Sequence, residues 1–121
     1  MASALLAVTA TAAGKPAFDS TLSTNLHTRD KPFFAFGHVR SDDPRCKKHR
    51  RVTLINETAG RNVGHFVTAK HGVWRVYLPK HLAGTGNGAS VELYSRVQSR
   101  HGPHVKCRAA RSGTRPYPPR A

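Results

Sequence analysis

Two cysteines and two histidines at mirrored spacing are the residues of this chain best suited to chemistry: Cys46-x-x-His49 and, in reverse order, His104-x-x-Cys107. If folding brings the cysteines together, three states compete. The sulfurs could join as a disulfide. They could remain thiolates and, with both imidazoles, offer a structural zinc its Cys2His2 set. They could also stay free thiols. A disulfide needs only the two sulfurs to meet, whereas residues three apart on an extended strand point to opposite faces and scatter a ligand set. The favoured reading is therefore a Cys46–Cys107 disulfide in an oxidising compartment, with no metal. His101 and His104 form a looser pair on a turn, and eight histidines in one chain produce such spacings by chance.

Catalytic machinery is harder to assemble. The sequence has no nucleophile elbow, no glycine-rich phosphate loop and no paired carboxylates. From Pro44 onward its only acids are Glu57 and Glu92, which leaves little for general acid–base work by carboxylates. The expectation is a protein without catalytic residues or cofactor. The charge balance points to binding instead. Lys and Arg number 20 against 6 Asp and Glu, a formal net charge of +14. Such a field draws polyanions of any kind. Alternation places Arg51, Arg75, Arg96, Tyr77 and Tyr94 on the outward positions of three strands, so arginines and tyrosines could share one sheet face. Arginine beside exposed aromatics on a β-surface can hold single-stranded nucleic acid by stacking and phosphate contact. No RNA-binding signature accompanies them, and specific nucleic-acid recognition is not the expectation.

The elements that must position these residues read as β throughout. Phe33–Arg40 is an aromatic-rich strand ended by the turn-forming Ser41-Asp42-Asp43-Pro44. Arg50–Asn56 alternates, with Val52 and Leu54 on one face and Arg51, Thr53 and Ile55 on the other. Val63–Ala69 follows. Val73–Pro79 alternates most cleanly and puts Trp74, Val76 and Leu78 inward, with Trp74 as the largest core anchor. A glycine-rich loop over Leu82–Gly88 leads to Ala89–Gln98, with Val91, Leu93 and Val97 inward, and His104–Ala109 closes the set. No segment carries helical periodicity, and none approaches the eighteen or more apolar residues of a membrane-spanning helix.

The ends differ from the middle. Residues 1–14 are rich in Ala, Leu, Val and Thr and contain the small-x-small pattern Ala10-Thr11-Ala12. They resemble the apolar core and cleavage site of a secretory leader, shortened because the basic beginning is missing. Residues 15–32 read as a lead-in with a possible edge strand, 33–112 as the folded domain, and 113–121 as a proline-rich basic tail. A domain this small buries a modest share of its surface and benefits from a covalent staple.

Taken in order, Phe36-Gly37-His38-Val39-Arg40-Ser41, Cys46-x-x-x-Arg50-Arg51-Val52-x-Leu54, Val63-Gly64, Thr68-x-x-x-Gly72-x-Trp74, Cys107 and Ser112 resemble a family. It is the secreted prealbumin-like (carboxypeptidase-regulatory-like or transthyretin-like) β-sandwich domains of actinobacterial exported proteins. The resemblance implies about seven strands in two antiparallel sheets and a non-catalytic, secreted module with a structural or binding role. Its partner would be an anionic cell-envelope polymer or another protein. The competing expectation is a cytoplasmic basic β-barrel that binds single-stranded nucleic acid.

Overall fold

Trp74 is completely buried, and the architecture can be built outward from it. The computed structural model describes residues 15–79, 82 and 90–118 of the chain. The leader-like residues 1–14 and most of the glycine-rich loop lie outside the described residues. The chain is all-β, with a single 3-10 turn at Pro44–Cys46 among the described residues. Trp74 sits on β7 (Val73–Tyr77), where Trp74 and Val76 are buried while Val73, Arg75 and Tyr77 are exposed. This is the period-2 alternation of a half-buried strand.

β7 pairs antiparallel with β4 (Phe34–Ser41), and Gly37 lies opposite Trp74. Along the other edge of β4 run two short pieces, β2 (Ser20–Leu22) and β3 (Asn25–His27), which act as one strand broken at Ser23–Thr24. The second sheet has the same plan. Its strands β5 (Arg51–Asn56), β6 (Arg61–Val67) and β8 (Val91–Val97) are joined by β11 (Ala110–Arg111) and β12 (Arg115–Tyr117), which share one edge of β8. A small third sheet holds β1 (Ala17–Phe18), β9 (Arg100–His101) and β10 (Lys106–Cys107), with β1 parallel to β10. Among the described residues twelve short strands thus stand where about seven are expected, because two edge strands are interrupted and the third sheet adds its own.

The two larger sheets face each other across a core of Ala35, Val39, Trp74 and Val76 from one, and Val52, Leu54, Leu93 and Val97 from the other. Val91 and Tyr117 complete it. Two boundaries differ from expectation. The lead-in contributes three strands, and Thr24 within it is buried. The supposed tail begins with β12, whose Tyr117 is also buried. Ile55, expected outward, keeps that parity opposite Tyr94 but is buried all the same; the β-bulge beside it inserts Val63 into β6 and leaves the register of β5 against β8 unbroken.

The breaks in the two edge strands meet. Thr24 Oγ1 hydrogen-bonds the hydroxyls of Ser95 and Ser112, and all three residues are buried. The donor order follows from proton counting, because each hydroxyl has one proton to give. Ser112 donates to the Gly113 carbonyl at 2.9 Å and accepts from the Ser95 N–H at 2.9 Å. Thr24 must therefore donate to Ser112, and Ser95 to Thr24. Gly37 serves the same corner. Its missing Cβ leaves room for the Ser23 carbonyl, which accepts from the Trp74 indole N–H at 3.2 Å.

Candidate polyanion-binding surface

Alternation along β4 turns Ala35, Gly37 and Val39 inward and leaves Phe34, Phe36, His38 and Arg40 on the outer face. Register brings neighbours to them. His27 of β3 lies opposite Phe34 on one side, and Tyr77 of β7 lies opposite it on the other. Arg75 is opposite Phe36. The His27 ring stacks on Phe34 with centroids 4.6 Å apart and 18° between planes. From the other flank, the Arg75 guanidinium lies over the Phe34 ring at 4.7 Å. Phe36 and Tyr77 meet Phe34 edge-on at 5.7 and 5.9 Å.

Two consequences follow. First, the Phe34 ring already carries His27 and Arg75 against it, so it holds the guanidinium and has little surface left to offer a base or sugar. Second, a stacked guanidinium has restricted motion and keeps its in-plane donors for other partners. One of them reaches the Tyr77 hydroxyl at 3.4 Å. Strands β3, β4 and β7 carry no acid. Among the described residues, no carboxylate lies within ion-pair distance of Arg75.

The outer face of the second sheet looks similar, but there the stacked guanidinium is paired with a carboxylate. Arg51, Tyr94 and Arg96 lie there, with Arg96 opposite Thr53 and Arg111. Arg111 stacks over Tyr94 at 3.8 Å, and its Nη2 is 2.6 Å from the Glu57 carboxylate. The five residues expected to share a face are therefore divided between opposite sides of the sandwich. Arg75 and Tyr77 are on one side, and Arg51, Tyr94 and Arg96 on the other. Alternation assigns each residue correctly to the outside of its own strand but cannot say which sheet that strand joins.

Cys46 and Cys107 form a disulfide, with S–S 2.01 Å and Cα–Cα 5.4 Å. It is buried with Val105 and Phe18 in a second, smaller core. The sulfurs are thus committed to each other, and the zinc alternative loses its two thiolates. Among the described residues, no group of three or more His, Cys, Asp or Glu is placed to hold a metal. Loop closure over 61 residues contributes about 4 kcal/mol in the chain-entropy model. The 3-10 turn carrying Cys46 is capped by Asp43, whose carboxylate accepts from the Arg45 backbone N–H at 2.8 Å and from its guanidinium at 2.7 and 3.0 Å. The guanidinium first, and the backbone N–H second, hold the Asp43 pKa at about 2.

Arg50 is the residue that the charge pattern conceals. Only 1% of it is exposed, and its guanidinium is held entirely by neutral oxygens. Nη1 donates to Ser20 Oγ at 3.0 Å and to the Cys46 carbonyl at 2.8 Å. Nη2 donates to the carbonyls of Gln98 and Arg108 at 2.9 and 3.0 Å. Its own N–H donates to Thr68 Oγ1. Burial, and then the nearby charge of Arg100, lower its pKa from the usual arginine value.

No family model, no curated protein and no solved structure matches this chain.

Proposed function

We propose that this chain is a non-catalytic, exported β-sandwich module of prealbumin-like character that binds an anionic cell-envelope polymer. The observation that carries the reading is the Phe34–Arg75 pair. It is an exposed guanidinium, fixed on an aromatic ring and without a carboxylate partner among the described residues, on strands that bear no acid. The buried disulfide supports an oxidising compartment. The formal charge of +14 supplies the long-range attraction.

The rival reading, a cytoplasmic barrel binding single-stranded nucleic acid, draws on the same aromatic cluster. It receives less support, because Phe34 already carries His27 and Arg75 against its ring, which leaves Tyr77, 57% exposed, as the ring of that cluster open to a base.

The test is equilibrium binding of poly(glycerol phosphate) and of oligo-dT at several salt concentrations, for the native protein and for Arg75→Gln. Tighter binding of the phosphate polymer, with a salt slope about one unit shallower in the variant, supports the reading. Preference for oligo-dT transfers the function to nucleic acid. Absence of binding to either polymer refutes it. The intact mass of protein from its native source adds the compartment. A chain shortened near Ala12 that resists alkylation is the expected result.

A further inference from the structure

On the pole of the sandwich next to the disulfide, and away from the Arg75 face, a pocket of about 210 Å³ opens among Arg45, Lys48, Arg100 and His104. These residues come from separate places: the 3-10 turn, the loop after it, β9 and the β9–β10 turn. Cys107 and the Gly102–Val105 turn form its floor. The turn is closed by the Gly102 N–H donating to the Val105 carbonyl at 2.8 Å. Arg100 is tied to the frame. Arg100 Nη1 donates to the Lys48 carbonyl at 3.0 Å, leaving its other donors available. Lys15 Nζ reaches the Gly102 carbonyl at 2.9 Å and adds a further cation to the rim.

Charge counting identifies the ligand class. Asp43 engages Arg45 through both carboxylate oxygens and cancels its charge. Lys48 and Arg100 have no carboxylate partner among the described residues. Two uncancelled cations, with His104 beside them, suit a dianion. Because they approach from different elements, several oxygens pointing in different directions satisfy them better than the two coplanar oxygens of a carboxylate. At about 30 Å³ per water, the volume admits a tetrahedral oxyanion and a few waters. The buried Arg50 feels Arg100 as a like charge, so an anion here also relieves that repulsion.

We propose that this pocket binds a dianionic phosphate group, either free phosphate or the terminal monoester of a larger molecule. The site is independent of the Arg75 face, and either can fail without the other.

Titration calorimetry at physiological salt with methyl phosphate, inorganic phosphate and dimethyl phosphate tests it. Saturable one-to-one binding of methyl phosphate is expected, with dimethyl phosphate, a monoanion, about 10-fold weaker or more. Lys48→Gln and Arg100→Gln should each weaken binding by about 10-fold or more, the usual loss for a hydrogen bond to a charged group. Arg75→Gln should change nothing. Retention of the disulfide and of the near-ultraviolet signal of Trp74 checks that each variant folds, and Lys48→Gln leaves the Arg100 hydrogen bond to the main chain in place. Equal affinity for inorganic and methyl phosphate assigns the site to the bare group, and a tighter methyl ester assigns it to a chain end. Absence of saturation, equal binding of dimethyl phosphate, or an equal effect of Arg75→Gln would overturn the proposal.

Discussion

Arg50 donates to the carbonyl of Cys46 at 2.8 Å, so the buried guanidinium and the disulfide are joined through the main chain. The second bond, to the carbonyl of Arg108, reaches the residue after Cys107. One cation therefore fastens both shoulders of the cross-link and also holds Ser20 of β2 and the Gln98 carbonyl beyond β8. Among the described residues it has no counter-ion. Four neutral oxygens do the solvating that a carboxylate would do in an ion pair, and the two on buried residues, Ser20 and Cys46, become unsatisfied acceptors if the guanidinium is removed.

Arg50→Lys should therefore be severe despite conserving the charge. An ammonium cannot span acceptors held in the planar fork of a guanidinium. With at least one acceptor abandoned at about 1–3 kcal/mol apiece, a loss of about 3 kcal/mol is expected in urea unfolding. Cys46→Ser with Cys107→Ser should cost about 4 kcal/mol. Because both changes act on the same carbonyls, the combined variant should lose measurably less than their sum. Strict additivity in that cycle would show that the guanidinium and the disulfide act separately.

Gly37→Ala probes the corner beneath Trp74. A methyl group there runs into the Ser23 carbonyl and the Trp74 indole nitrogen. A main-chain oxygen cannot step aside cheaply, so a destabilisation of about 1–3 kcal/mol is expected, with a change in Trp74 fluorescence as its indole loses the Ser23 acceptor. Unchanged stability and emission would mean that β2 and β4 approach less closely than described.

Acid should act through Asp43. Its folded pKa, about 2, lies below the ordinary value of 3.8. A carboxylate shifted in this direction contributes stability above its unfolded pKa. That contribution is lost as pH falls through the interval from about 3.8 to about 2. Asp43→Asn should remove this part of the acid dependence and leave stability near neutrality lower than in the native protein. Unfolding midpoints measured across that interval for both proteins check the sign. Parallel pH profiles would exclude Asp43 as their source.

Much of this was readable in the chain. The alternation at Trp74-Arg75-Val76-Tyr77 and at Val91 to Val97 fixes which side chains enter the core, because a strand offers only two faces. The cysteine pair was legible from its separation and surroundings. Arg50 was legible in principle, since it shares parity with Val52 and Leu54. Charges are rarely buried without a partner, however, and the carbonyls that receive it belong to residues far along the chain. The Phe34 site was half visible. Phe34-x-Phe36-x-His38-x-Arg40 marks an unusual outward stripe, but β3 and β7 had to be placed on either side before His27 and Arg75 could meet over one ring. The division of Arg51, Tyr94 and Arg96 from Arg75 and Tyr77 depends on strand order, which local periodicity does not encode.

The Thr24–Ser95–Ser112 cluster has a consequence for alignment. Short edge strands can slide along their neighbours, and a shift of one residue exchanges inner and outer faces. Here both sliding segments are interrupted where the hydroxyls meet. A one-residue slip of β3 or β11 would turn Thr24 or Ser112 away from Ser95 and leave buried hydroxyls without partners. The cluster works as a registration pin, setting two frayed borders of the sandwich against each other at a single point.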